Sequence, residues 1–206
     1  MDNKIILTIG RQFGSGGREI GKKLAQALGI GYYDKELMAV AAKESGLSEE
    51  FFEKADERAS SGLAYAFTMG YSYMGMFTPY NDILSNDGLF KFQSDAIRKL
   101  ASEQSCVLVG RCADYILRDH PRCANIFISA SHEARVARLC ASHHVTEEEA
   151  ENMMNKADKK RSEYYNYYSY KTWGAAATYH LCIDSSVLGI EKTIDFIEDF
   201  VKLKIK

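Results

Sequence analysis

Residues 5–22, IILTIGRQFGSGGREIGK, constrain this chain more than any other stretch. An apolar run (Ile5, Ile6, Leu7, Ile9) leads into the turn Gly14-Ser15-Gly16-Gly17, and a helix-like segment follows at once. A strand, a glycine turn and a helix N-terminus in that order make a phosphate cradle. Backbone N–H groups of the turn point inward, and the helix dipole adds positive potential. The phosphate-loop pattern sets Lys and then Ser/Thr after its last glycine. Here Gly17 and Arg18 stand in those places. The loop has the shape for phosphate and lacks its usual cation.

The rest of the chain alternates strand and helix. Strand 5–10 precedes a helix from about Gly17 to Leu28, ended by Gly29. The run Gly31 to Asp34 follows, then helices over 35–43 and 48–59, the second opened by the N-cap pattern Ser48-Glu49-Glu50. Residues 60–88, rich in Gly, Ser, Met and Tyr, show no clear period. A helix over 89–103 leads to strand Cys106 to Val109, which stops at Gly110-Arg111. A short helix over 113–117, strand 125–129 and helix 132–142 come next. Thr146-Glu147-Glu148-Glu149 has the pattern of a capping box and opens a helix to about Tyr165. Strand His180 to Asp184 and a helix over 189–202 close the chain. Short strands, apolar on both sides and separated by helices, predict a parallel sheet covered on both faces.

An apolar fraction of 46% is ample for a core, and a net charge of -2 excludes a globally basic nucleic-acid binder. No apolar run approaches the roughly 20 residues needed to span a bilayer. The opening MDNKIILTIG lacks the signal-peptide pattern, so a cytoplasmic location is expected. Five cysteines (Cys106, Cys112, Cys123, Cys140, Cys182) form no CxxC pair and read as reduced core thiols. No direct protein-held metal site is expected.

Ligands of an open parallel sheet sit beyond the carboxyl ends of its strands. Polar clusters gather at those ends: Arg11 to Arg18, Asp34, Gly110-Arg111, Ser129 to Ser131, and Asp184-Ser185-Ser186. Arg18, one position after the lysine slot, offers a planar fork suited to phosphate oxygens, and Arg11 flanks the loop. The plainer reading leaves Arg18 and Glu19 as helix-surface residues. Glu19 stands near the slot where a hydroxyl meets magnesium: it either binds that metal through water or repels the phosphates. A second cluster, Lys156 to Arg161, adjoins the tract Tyr164-Tyr165-Asn166-Tyr167-Tyr168, with Tyr170 and Trp173 beyond. Basic residues beside rings serve either nucleic-acid stacking or a lid over nucleotide phosphates. The near-neutral charge and the phosphate loop favour the lid over nucleic acid.

Taken together, these clusters resemble the cytidylate kinases, and most closely the cytidylate kinase-like family. The opening ILTIGRQFGSGGREIGKKLAQALGIGYYDKEL is similar to that family's start, with Gly14-Ser15-Gly16 matching a cytidylate kinase phosphate loop. Asp34 falls where those enzymes place an aspartate that contacts the nucleoside monophosphate. Gln93 and the stretch VLVGRCADYIL resemble the region of their Gly-Arg-Asp acceptor motif. Gly110 and Arg111 match it, Cys112 replaces the aspartate, and Asp114 is the candidate substitute. IFISASHEARVARL resembles the segment carrying lid-side arginines, here Arg135 and Arg138. Asp158 and Arg161 match the second half of the lid motif, whose first half reads Met154-Asn155. Asp184-Ser185-Ser186 is similar to the Asp-Thr/Ser-Ser near the adenine pocket.

The resemblance implies an α/β, P-loop NTPase-type three-layer sandwich in one domain over 1–206. Its core covers about 1–44, 96–145 and 176–206, with a helical acceptor-region insertion at about 45–95 and a lid at about 146–175. It implies ATP and Mg2+ as cofactors and phosphoryl transfer to a small acceptor, a nucleotide such as CMP or another phosphorylatable molecule. Arg11, Gly14, Ser15, Gly16, Gly17 and Arg18 would hold the donor phosphates. Asp34, Gln93, Gly110 and Arg111 would hold the acceptor. Arg18, Lys160 and Arg161 would act in catalysis, Arg135, Asp158 and Arg161 belong to the lid, and Asp184 and Ser185 lie on the adenine side. The competing expectation is a nucleotide-binding regulator without turnover that forms a homodimer through the Tyr/Met-rich insertion.

Overall fold

The structure is a computed structural model, and it describes residues 4–34 and 86–205. The helices expected over 35–43 and 48–59, and the Tyr/Met-rich stretch 60–88 up to its last three residues, lie outside them. The chain divides into two compact units: Met1–Asp34 with Ala101–Lys206, and Lys35–Leu100. From the second unit only the helix α2 (Asn86–Glu103) is described, running on into the first. Its residues Leu89, Gln93, Ala96, Ile97 and Leu100 are buried at helical spacing.

The first unit is built on five parallel strands: β1 (Ile6–Arg11), β2 (Gly31–Tyr33), β3 (Cys106–Val109), β4 (Cys123–Ser129) and β5 (Leu181–Asp184). Their order is β2-β3-β1-β4-β5. The glycine-loop strand is therefore central, with Ile6 in register with Cys106 on one side and Cys123 on the other. A central strand of a covered parallel sheet needs apolar residues on both faces, and Ile6, Leu7 and Ile9 are fully buried.

The remaining helices are α1 (Gly17–Leu28), α3 (Ala113–Ile116), α4 (His132–His143), α5 (Glu147–Ser169) and α6 (Ser185–Lys204). Helix α1 buries Ile20, Gly21, Leu24 and Ala25, an i, i+1, i+4, i+5 stripe. It packs with Ile194, Ile197 and Val201 of α6 against Leu7, Ile9, Val107 and Ile126. Glycine at 21 suits the close approach: a Cβ there would lie 2.9 Å from the Ile9 Cδ1 tip, which would have to shift. On the other face, Thr8 donates to Asn125 Oδ1 at 2.8 Å, and the Phe127 ring meets Trp173 and Tyr179 at centroid distances of 5.2 and 5.0 Å.

Three expectations need correction. Helix α5 runs to Ser169 rather than Tyr165, because the tyrosine tract continues the helix until Tyr170 turns left-handed at φ 55°. Helix α6 begins at Ser185, capped by Asp184, and breaks at Gly189 (φ 76°, ψ 170°) before resuming. Cys182 is exposed on the sheet-end strand β5, whereas Cys106, Cys112 and Cys123 are buried. No described helix is long and apolar enough to cross a membrane.

Candidate functional site

The glycine loop leaves β1 and turns through two left-handed glycines, Gly14 (φ 78°) and Gly16 (φ 75°). Ser15 is buried; its hydroxyl donates to the Gln12 carbonyl at 2.9 Å and accepts from the Gly17 N–H at 3.3 Å. The loop is tied to its neighbours from three sides. Ser185 donates to the Ser15 carbonyl at 2.6 Å, Gln12 Oε1 accepts from the Ala130 N–H at 3.3 Å, and Arg138 Nη1 donates to the Gly14 carbonyl at 2.5 Å. Ser185 is wholly buried beneath the loop. Asp184 caps α6, accepting from the Ser186 N–H at 2.8 Å, while the Ser186 hydroxyl accepts from the Ser131 N–H at 3.1 Å. The ends of β1, β4 and β5 are thus linked into one rim.

The strand ends on the other side carry charge. Asp34, buried just past β2, pairs with Arg18 Nε at 2.6 Å and with Arg11 Nη2 at 3.3 Å. Arg161 reaches from α5 to donate to the Arg11 carbonyl at 3.1 Å, and its guanidinium lies 5.4 Å from the Phe13 ring centroid. Arg111, held at φ 57° past β3, is near enough to repel Arg11. Burial, first, and then the positive charges of Arg161 and Arg111 push the Arg11 guanidinium down to about 10, with Asp34 opposing. Burial likewise lowers Arg161, against the pull of Asp158 and Asp34. Both groups stay cationic at neutral pH.

A second clamp joins helix α5 to the loop. Asp158 accepts from the Phe13 N–H at 2.7 Å and pairs with Arg135, while Arg161 lies 3.6 Å from the same carboxylate. Arg135 also donates Nε–H to the Phe13 carbonyl at 2.7 Å and is only 8% exposed, so it is committed to this clamp.

The structure therefore gathers Arg11, Gly14, Ser15, Gly16, Gly17, Arg18, Asp34, Arg135, Asp158 and Arg161 at one edge of the sheet. Lys160 is exposed on α5 beside Arg161. Gln93 belongs to the other compact unit, on α2. Asp114 is not in the acceptor position that the motif suggests. The left-handed pair Arg111 and Cys112 turns it inward, where Tyr165 donates to its Oδ2 at 2.5 Å. Gln12 and Phe13, which brace the loop, carry no mark in the sequence beyond their position.

Burial raises the Asp114 carboxyl above its ordinary value, despite the Tyr165 hydrogen bond. A raised folded-state value means that its contribution to stability is present below the unfolded value and lost as pH rises through the folded one. Asp114→Asn, which keeps an acceptor for Tyr165 and removes the charge, should therefore gain melting temperature relative to wild type between pH 4.5 and pH 7.5. Thermal melts at the two pH values decide it; a difference that is flat or falls with pH refutes the assignment.

Magnesium does not fit here as a directly protein-ligated ion. Glu19, next to the metal slot, pairs with Lys23 at 2.9 Å along the helix surface, and Asp34 is engaged by two arginines. Among the described residues no cluster of three or more His, Cys, Asp or Glu side chains is placed to hold a metal.

No curated protein matches this chain. A crystal structure of an uncharacterized protein from Eubacterium ventriosum ATCC 27560 is 31% identical, with a TM-score of 0.72 over 97% of this chain and 99% of that one. Shikimate kinase from Bacteroides thetaiotaomicron is 12% identical with a TM-score of 0.56, covering 96% of this chain and 98% of that one. A gluconokinase from Sinorhizobium meliloti 1021 is 10% identical with a TM-score of 0.53, covering 99% and 95%. At such identity these two speak for the fold alone, a parallel α/β sheet flanked by helices. Residues 6–187, from the glycine-loop strand through the Asp184-Ser185-Ser186 turn, match one sequence family, and the chain belongs to the cytidylate kinase-like family.

Proposed function

We propose that this protein transfers the γ-phosphoryl group of ATP to a small anionic acceptor, a nucleoside monophosphate such as CMP. The observation that carries the reading is the cationic edge of the sheet. Arg11 and Arg18 share Asp34, with Arg111 and Arg161 beside them, next to a glycine loop at a helix N-terminus. Phosphoryl transfer is mainly positioning and neutralisation of phosphate charge, so an excess of fixed guanidinium groups is the equipment it needs. A protein of net charge -2 concentrates that excess at one place.

In this scheme the Gly14–Gly17 turn and Arg138 receive the donor phosphates, and the Asp184–Ser186 turn borders the nucleobase. Arg18, Asp34 and Arg111 receive the acceptor. Arg161 and Lys160 on α5 meet charge that develops between them. A phosphate acceptor is already an anion at neutral pH, so no general base is required.

ATP with Mg2+, presented with a panel of nucleoside monophosphates and small hydroxy acids, tests the reading. ADP should form with one acceptor far faster than with ATP alone. Binding of ATP with no acceptor accelerating its turnover would instead favour a nucleotide-binding regulator.

A further inference from the structure

A glycine in the lysine slot is only a loss if the cation comes from nowhere else. Gly17 opens α1, and an ideal Cβ there would lie 2.6 Å from Arg11 Cβ, 3.2 Å from Arg11 Cγ and 3.3 Å from Ile128 Cβ. The first distance is far inside contact range, and the obstructing atom is fixed to the backbone rather than a flexible tip. The stem of Arg11 therefore fills the volume into which a side chain at 17 would start. Its guanidinium end is fitted as closely: a Cβ on Gly110 would overlap Nη1. Arg11 runs between two glycines, one opening the loop helix and one ending β3. It emerges at Asp34, with its side chain 19% exposed.

We infer that Arg11, the last residue of the central strand, is a catalytic residue that supplies the phosphate-binding cation a phosphate loop ordinarily takes from its lysine. The assignment rests on the kinase reading above. Arg161 fixes the Arg11 main chain by its bond to the carbonyl, and Asp34 holds the guanidinium at 3.3 Å until phosphate oxygens take over its N–H groups. Buried N–H donors of this kind act with little screening and need no reorganisation. In the transfer, the bond from the γ-phosphorus to its bridging oxygen breaks, with the electron pair leaving on ADP. A new bond forms to an oxygen of the acceptor phosphate. Arg11 donates hydrogen bonds to the non-bridging oxygens and keeps its protons throughout.

The inference makes residues 11 and 17 reciprocal, and equilibrium binding of ATP and of tripolyphosphate reads this out. Arg11→Met keeps the packed stem and removes the charge. It should weaken both ligands at least tenfold with its melting temperature close to wild type. Gly17→Lys alone should bind no better than Arg11→Met, because the lysine has no room. Arg11→Gly/Gly17→Lys removes the Cβ that blocks position 17, rebuilds the ordinary arrangement and should bind at least tenfold tighter than Arg11→Gly. Circular dichroism checks that each variant folds; if Arg11→Gly does not, Arg11→Met carries the test. Wild-type binding of ATP with Arg11→Met within threefold of it overturns the inference and leaves the kinase reading standing. A wild type that binds neither ATP nor tripolyphosphate overturns both.

Discussion

Asp158→Ala is expected to remove about 3–5 kcal/mol of stability, the usual cost of deleting one partner of a buried ion pair. For a chain of this size that corresponds to a fall in melting temperature of roughly 10 °C. Arg135, 8% exposed, would be left as a buried guanidinium without its carboxylate, and the Phe13 N–H would lose its acceptor at 2.7 Å. Both are groups whose desolvation is tolerable only when paired. Asp158→Asn keeps an oxygen for Phe13 and should cost about half as much. Denaturant melts followed by far-UV circular dichroism measure the difference. A loss under about 1 kcal/mol for the alanine variant would mean that this clamp does not hold helix α5 to the loop.

The strands and most helices were legible because their signals are local. Buried parallel strands are short apolar runs, and α1 carries both its stripe and the Gly29 stop. Strand order was not legible, since it depends on pairings such as Ile6 with both Cys106 and Cys123, a hundred residues or more away in the chain. The same divide runs through the site. Asp34, Arg11 and Arg161 were marked by residue type at strand ends and on helix α5. The Asp158 bond to Phe13 spans 145 positions, and no spacing rule reaches it. Nor does the sequence indicate that Arg11 fills the space next to Gly17, which depends on the direction in which the last residue of β1 points.

Asp114 shows the opposite error. Sequence position offered it as a substitute for the missing motif aspartate, two residues late. Left-handed backbone at Arg111 and Cys112 spends those two residues turning the chain inward. The tyrosine tract divides in the same way. Tyr165 packs with Tyr179 at a centroid distance of 6.1 Å and bonds Asp114, whereas Tyr167 and Tyr170 stay exposed. Rings that looked like one ligand platform are partly core and partly surface.

Arg161→Ala should lower kcat about a thousandfold, the lower range for an arginine that neutralises a transferring phosphoryl group. The residue is suited to that role by what fixes it. Its Nη1 is anchored on the Arg11 carbonyl, its plane lies over Phe13, and Asp158 sits 3.6 Å from it on the same helix. These contacts preorganise the guanidinium at the loop without consuming all of its donors. Removing it should cost stability little compared with Asp158→Ala, since no carboxylate loses its main partner: Asp158 keeps Arg135. Arg161→Lys retains the charge and loses the planar fork, so it should recover only part of the rate. The discriminating pattern is a large fall in kcat with KM for ATP within a few-fold of wild type, because the interaction strengthens in the transition state. A rise in KM with kcat unchanged would make Arg161 a binding residue of the ground state. An activity within tenfold of wild type would remove it from the reaction altogether.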